Sequence, residues 1–144
     1  MKDQDLVLLR VLDANLNRAR EGLRVCEEVA RLVLEDPSLT RRCQRLRYGV
    51  DRVARSLPRL KLLQARDVGR DVGRPSRRGA IRSHRSVGDL VAANLRRVQE
   101  ALRVLEEFTR LKFPQASRAY GFLRFRAYSL EQAFSSAGSS VRHR

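Results

Sequence analysis

Apolar residues recur every three or four positions along most of the chain, and no stretch sustains the alternation of a half-buried strand. Projected at about 100° per residue, Leu16, Ala19, Gly22, Leu23, Val25, Cys26, Val29, Ala30, Leu32 and Val33 fall on one arc of roughly 200°. An arc so wide predicts a helix buried against more than one neighbour. The pattern predicts a first helix over residues 5–34, closed by Asp36-Pro37-Ser38, with Ser38 as N-cap of a second helix to about 57. Pro58 breaks the chain or opens a short further piece. A third helix is expected over 86–113, where Ser86 with Asp89 three residues later resembles a capping box, and Pro114 precedes a fourth ending near 134. The small, polar stretch 135–144 is expected to be a disordered tail.

The chain repeats itself. Residues 13–34 and 92–113 match at 12 of 22 positions at a constant offset of 79, without a gap. The same offset sets Arg45-Leu46-Arg47 against Arg124-Phe125-Arg126. The expected architecture is therefore all-α: a helical bundle of two duplicated hairpins, about 5–57 and 86–134, in one domain over 1–134. Between the halves runs 65–85, rich in Gly, Arg, Asp and Ser. A connection of that length inside one domain is more often functional than decorative.

Charge sharpens the picture. Of 144 residues 28 are Arg and three are Lys, against 16 acids, for a net charge of +15. Such an excess repels itself unless anions are near, and Arg favours planar, bidentate contact with phosphate or carboxylate; a genomic preference for Arg codons explains part of it. No apolar run approaches the roughly 18 residues of a membrane span, and Met1-Lys2-Asp3-Gln4-Asp5 does not resemble a signal peptide. Cys26 and Cys43 form no metal-binding spacing, and Cys26 reads as a core thiol, so a reducing, cytoplasmic setting is expected.

Three groups of residues carry candidate chemistry. Asn15 and Arg18 fall inside the apolar arc, and Asn94 and Arg97 repeat them. A buried amide or guanidinium must find partners, either within the fold or on a ligand shared by both hairpins. Along the edge of the arc runs Glu21, Arg24, Glu27, Glu28, Arg31, copied as Glu100, Arg103, Glu106, Glu107, Arg110. Spacings of three and four make a solvated ladder, yet these positions are identical while others such as Asn17/Arg96 diverge, which points to phosphate binding or a Mg²⁺ site. The third group is Arg66-Asp67-Val68-Gly69-Arg70-Asp71-Val72-Gly73, where Gly69 and Gly73 let backbone N–H groups approach phosphate, Arg66 clamps oxygens, and Asp67 or Asp71 could hold Mg²⁺. There is no Walker A loop.

Taken together, Asp13-Ala14-Asn15-Leu16-Asn17-Arg18 with Glu21-Gly22-Leu23-Arg24-Val25, the Asp71-Val72-Gly73 loop, and Ala93-Asn94-Leu95 with the run from Glu100 to Glu107 resemble one family. It is the non-standard hydroxymethylpyrimidine phosphate kinase of thiamin biosynthesis, which also occurs as an N-terminal domain fused to thiamine-phosphate synthase. The resemblance covers about 7–132 and implies transfer of the ATP γ-phosphoryl group to 4-amino-5-hydroxymethyl-2-methylpyrimidine phosphate, with ATP and Mg²⁺ required. It also implies a stand-alone version, since the chain ends where a synthase domain would begin. The doubled Arg-Asp-Val-Gly is a departure that leaves open which Asp is functional.

On this reading Arg18, Arg97 and Asp71 are the catalytic candidates, and Asn15, Asn94, Arg24 and Arg103 bind the phosphorylated pyrimidine. Arg66, Asp67, Gly69 and Gly73 bind the nucleotide, and Asp71, Glu28 and Glu107 are the metal candidates. A homo-oligomer is open. The rival readings are an Arg-rich nucleic-acid-binding protein, disfavoured by interleaved Glu and sparse aromatics, and an all-helical mutase or lyase gripping a dicarboxylate. A structural hairpin dimer is the third.

Overall fold

Caps and breaks in the sequence set the helix boundaries. The computed structural model describes residues 3–73 and 83–141, so 74–82 of the connecting segment lie outside the described residues. The described residues form five α-helices and no strand: α1 Asp3–Glu28, α2 Pro37–Ala54, α3 Arg59–Ala65, α4 Val87–Thr109 and α5 Pro114–Val141. Ser86 caps α4 by accepting from the Asp89 N–H at 3.1 Å. The cap of α2 is Asp36 rather than Ser38: its Oδ1 accepts from the Leu39 N–H at 2.9 Å, and Pro37 takes the first helical position, where its missing N–H costs nothing. Residues 135–141 are helical rather than frayed, because Phe134 is buried and Ala133 and Ala137 pack against the core.

A π-turn, Val29–Val33, extends α1 and ends at Glu35, whose φ of 49° is left-handed. The Asp36 N–H reaches back to the Ala30 carbonyl at 2.9 Å to close the helix. Within this last stretch Val29 and Ala30 are buried as the wheel expects. Leu32 and Val33, expected inside, are exposed.

The core joins Leu12, Leu16, Leu23 and Cys26 of α1 to Leu95, Val98, Leu102 and Leu105 of α4, with Cys43 and Val50 of α2 and Tyr120, Ala127 and Leu130 of α5 closing it. α1 packs on α4 and α2, and α5 on α4 and α2. α1 and α4 are antiparallel: Cys26 Sγ meets the Val91 carbonyl at 4.0 Å, while at the other end Lys112 Nζ lies 3.1 Å from Asp5 Oδ1. α2 reverses from α1, so α2 and α4 run the same way, and the connector after α2 must travel back along the bundle. It does so against α1, on which α3 packs.

Two glycines set how close helices come. A Cβ on Gly22 would lie 2.7 Å from Val98 Cγ2 and 3.0 Å from the Asn94 carbonyl, so α1 and α4 touch at backbone distance. A Cβ on Gly49 would lie 2.7 Å from Leu123 Cδ2, which brings α2 against α5 in the same way.

The second helices do not keep the offset of 79. Glu27 pairs with Arg47 at 3.0 Å, and its repeat counterpart Glu106 pairs with Arg124 at 2.9 Å. Arg47 thus matches Arg124, not Arg126, and Leu46-Arg47-Tyr48 matches Leu123-Arg124-Phe125 at an offset of 77. Pro37 and Pro114 match at that offset too. The first hairpin holds two more residues, in the segment where the π-turn and the left-handed Glu35 lie.

Candidate functional site

Along α1 and its π-turn, Ala14, Arg18, Glu21, Val25, Glu28 and Leu32 follow one another at spacings of four and three, which is one stripe of a helix. Ala93, Arg97, Glu100, Val104, Glu107 and Leu111 form its counterpart at the offset of 79. All six pairs are identical, and each pair shares its degree of exposure: Ala, Val and the second Glu partly covered, Arg, the first Glu and Leu open to solvent. Core positions of the same helices tolerate exchange, as at Ala19/Val98 and Cys26/Leu105, both buried. Identity retained at exposed positions is not explained by packing.

Asn15 and Asn94 edge this face. The Asn15 Nδ2 donates to the Val11 carbonyl at 2.9 Å and the Asn94 Nδ2 to the Leu90 carbonyl at 2.8 Å, each one turn back in its own helix. The two amides do not converge on a shared pocket as expected. Asn94 lies opposite Gly22, and Asn15 is two turns, about 10 Å, away along α1. The antiparallel crossing instead sets Arg18 and Arg97 at the same level of the bundle. Arg18 Nη1 donates to Asn15 Oδ1 at 3.3 Å, so Asn15 acts on Arg18. Arg97 has no carboxylate partner among the described residues.

Arg24 and Arg103 have a structural use. Arg24 lies 3.2 Å from Glu27 and 3.6 Å from Glu28; Arg103 lies 3.5 Å from Glu106 and 3.1 Å from Glu107. Glu27 retains only 3% of its side-chain exposure, and two guanidiniums, Arg24 and Arg47, neutralise it. Burial alone would depress the Arg47 guanidinium, but the hydrogen bond and charge of Glu27 leave it raised. Arg47 also stacks over Tyr48 at 5.0 Å, and Arg124 over Phe125 at 5.1 Å. Each hairpin is riveted by the same Arg–Glu–Arg–aromatic unit. Glu27 and Glu106 were legible as repeated positions, but the match of Arg47 to Arg124 was hidden in the sequence because the shift from 79 to 77 sets Arg47 against Arg126 instead.

The connector is tied to the first half of α1. Arg66 grips Asp13 with two bonds, Nε to Oδ2 at 2.8 Å and Nη2 to Oδ1 at 2.9 Å, and Arg10 Nη2 donates to the Asp67 carbonyl at 2.8 Å. Asp67 Oδ1 accepts from the Arg70 N–H at 3.2 Å, and Asp71 Oδ1 from the Gly73 N–H at 2.9 Å. Each Asp thus shapes its own turn, and neither Gly69 nor Gly73 uses positive φ. Asp13 and Arg10, which nothing in their spacing marks, anchor this loop.

The metal candidates do not gather. Among the described residues no three His, Cys, Asp or Glu side chains come together, Glu28 and Glu107 are paired with Arg, and Asp71 holds a turn. The donors present do not fit a protein-built Mg²⁺ cage, which needs oxygen ligands in near-octahedral array. Nor do the candidate residues line either of two cavities in the bundle. One, of about 200 Å³, lies among Asp5, Leu8, Leu9, Pro58, Lys61, Lys112 and Phe113; the other lies between α2 and α5. Cys26 and Cys43 are buried, and burial pushes both thiols up to about 12, so neither is a nucleophile. Among the described residues no helix is long and apolar enough to cross a membrane.

Comparison with known proteins places this geometry. The chain is 43% identical over 124 residues to a thiamine-phosphate synthase of Synechocystis sp., covering 86% of this chain and 35% of the relative. It is 42% identical over 126 residues to one of Thermosynechococcus vestitus (88% and 35%), and 36% over 139 residues to one of Rhodopirellula baltica (95% and 37%). The chain thus spans about a third of the length of the curated relatives it matches. No solved structure matches it. The profile of the ThiD2 family matches residues 10–133, which include both hairpins' paired stripes and the connector, and the chain belongs to that family.

Proposed function

We propose that this protein works in thiamin biosynthesis as an ATP-dependent kinase that converts 4-amino-5-hydroxymethyl-2-methylpyrimidine phosphate to the diphosphate. The observation that carries this reading is the α1/α4 face: six pairs of exposed or half-exposed residues identical in both halves, inside the segment matched by the ThiD2 family. The relatives' name, thiamine-phosphate synthase, belongs to proteins about three times as long and supports the pathway.

The chemistry asks little covalent help of the protein. An oxygen of the acceptor phosphate attacks the γ-phosphorus of ATP in line, the γ–β bridge breaks, and ADP leaves. Arg18 and Arg97, at one level of the bundle, neutralise charge on the transferring group; Asn15 positions Arg18 through its 3.3 Å contact. The second N–H of each Asn amide is left for the pyrimidine edge. The turns of residues 66–73, tied to the first half of α1 where Arg66 and Asp67 meet Asp13 and Arg10, serve in this reading as the nucleotide-facing segment, with Asp71 and the backbone of Gly69 and Gly73 as its candidates. Mg²⁺ belongs to the substrate, arriving on the ATP phosphates, since the described residues build no cage of their own.

The test mixes protein, MgATP and the pyrimidine monophosphate, and follows ³¹P signals for a new diphosphate. Stoichiometric diphosphate and ADP are expected; ATP left intact at protein concentrations equal to substrate would overturn the reading.

A further inference from the structure

The cavity between α2 and α5 has about 400 Å³ and is lined by Arg42, Arg45, Leu46, Arg126, Ser129 and Leu130. That volume lies within the range of about 300–1,000 Å³ typical of small-molecule sites. Three guanidiniums share it, and no acid among the described residues comes within ion-pair distance of any of them, although the bundle pairs many others. Three like charges around one space repel one another until an anion enters. The floor is Leu46 and Leu130, both buried, so the positive charge sits over a low-dielectric surface that strengthens its pull on an anion. Arg45 and Arg126 are solvent exposed, so a ligand reaches them without the bundle opening.

The cavity is also a departure from the molecule's own symmetry. At the offset of 77 that relates α2 to α5, Arg126 corresponds to Gly49, Arg45 to Phe122, Arg42 to Ala119 and Ser129 to Arg52. In one half Gly49 admits Leu123 to backbone distance and the helices close. In the other half Arg126 takes the place of that glycine opposite Leu46, and the helices leave room. A bundle built for stability alone would close both halves. One half has exchanged contact for a basic cleft.

We propose that this cleft binds a condensed phosphate chain, with Arg42, Arg45 and Arg126 taking its oxygens and Ser129 donating one hydrogen bond. Three positive charges and a hydroxyl suit an anion with several charges spread over many oxygens, and an open cleft of about 400 Å³ suits a small ligand better than a nucleic-acid strand, whose phosphates would need a longer groove. The cleft lies on the α2/α5 side of the bundle, away from the α1/α4 face assigned to the transferring group, so it is a separate phosphate site and its binding is measured without turnover.

Titration calorimetry with inorganic triphosphate, with ATP and with a single-stranded oligonucleotide tests it, on the full chain and on Arg45→Ala and Arg126→Ala. Both sites are exposed, and circular dichroism checks that each variant is folded. Triphosphate and ATP should bind the parent chain and lose at least tenfold in affinity in either variant, while Arg96→Ala and Arg118→Ala, basic and exposed elsewhere, change it less than twofold. Equal affinity of ATP and triphosphate assigns the site to a free phosphate chain; tighter ATP assigns it to a nucleotide. Unchanged triphosphate affinity in both cleft variants overturns the proposal, as does an oligonucleotide that displaces triphosphate at lower concentration. Phosphate binding lost in the cleft variants, with no diphosphate ever formed by the parent, sinks the kinase reading and leaves the cleft standing. Diphosphate formed by the parent chain, with triphosphate affinity unchanged in both cleft variants, does the reverse.

Discussion

The outer faces of the two helix pairs differ in kind. The α1/α4 face repeats residue for residue, and many of its charges are answered: Arg24 by Glu27 and Glu28, Arg103 by Glu106 and Glu107. The α2/α5 face has lost the repeat, carries Arg42, Arg45 and Arg126 without acids, and exposes Phe122 and Phe125. The two helix pairs share repeated sequence, and their faces differ in how much of it they keep. A face held identical serves both halves, whereas a face allowed to diverge can acquire a task that only one half performs.

That contrast can be broken or sharpened by substitution. The largest effect is expected inside the Arg–Glu–Arg units, where some of the repeat identity is structural. Glu27→Ala strands a largely buried Arg47 and should cost about 3 kcal/mol, whereas Glu28→Ala, half exposed, should cost less than about 1 kcal/mol. Urea denaturation of the two variants separates them, and equal losses would mean that Glu27 is no rivet. Next come Arg18→Ala and Arg97→Ala on the open part of the face. Each should lower turnover by roughly 10- to 100-fold, about 1.4–2.7 kcal/mol of barrier, with the melting temperature held within a degree or two. A loss of stability in step with activity would return these residues to packing.

Gly22→Ala should destabilise by about 1 kcal/mol, because the stiff Val98 and the Asn94 carbonyl obstruct its methyl group more than helix propensity favours it. Gly138→Ala, whose methyl group meets open space, should gain several tenths of a kcal/mol. Thermal unfolding of both gives opposite signs if α1 and α4 meet as closely as described. Glu35→Gly should stabilise by about 1 kcal/mol or less, by relieving the left-handed φ of 49° that ends the first hairpin's longer turn.

The last effect is absent at neutral pH and appears only in alkali. Both thiols are pushed up to about 12 by burial, from 9.0, so the unfolded chain ionises first as pH rises. Their contribution is intact below pH 9 and fades as pH climbs from there toward 12. Removing both thiols by Cys26→Ala and Cys43→Ala should flatten that alkaline decline, read as melting temperature against pH.

Much of the fold was legible because it is written in local pattern. The 3.6-residue period of apolar positions, the Ser86 cap and the prolines at 37, 58 and 114 each act within a few residues. Leu32 and Val33 escaped that logic: they lie at the end of the first helix, where Leu32, like its counterpart Leu111, is exposed. The candidate site was legible only as a set of identical positions. Asn15 and Asn94 read as partners because a wheel shows direction but not level, and the antiparallel crossing separates them while matching Arg18 to Arg97.

Sequence alone determined that the chain is helical, that its halves are related, and which exposed residues both halves retain, because periodicity and identity are properties of neighbours along the chain. Tertiary structure alone decided that Arg47 answers Arg124 and that Gly49 closes what Arg126 opens, because those relations depend on how closely two helices far apart in sequence approach. A missing side chain can be read from one line of letters. The space it leaves or fills exists only once the opposite helix is in place.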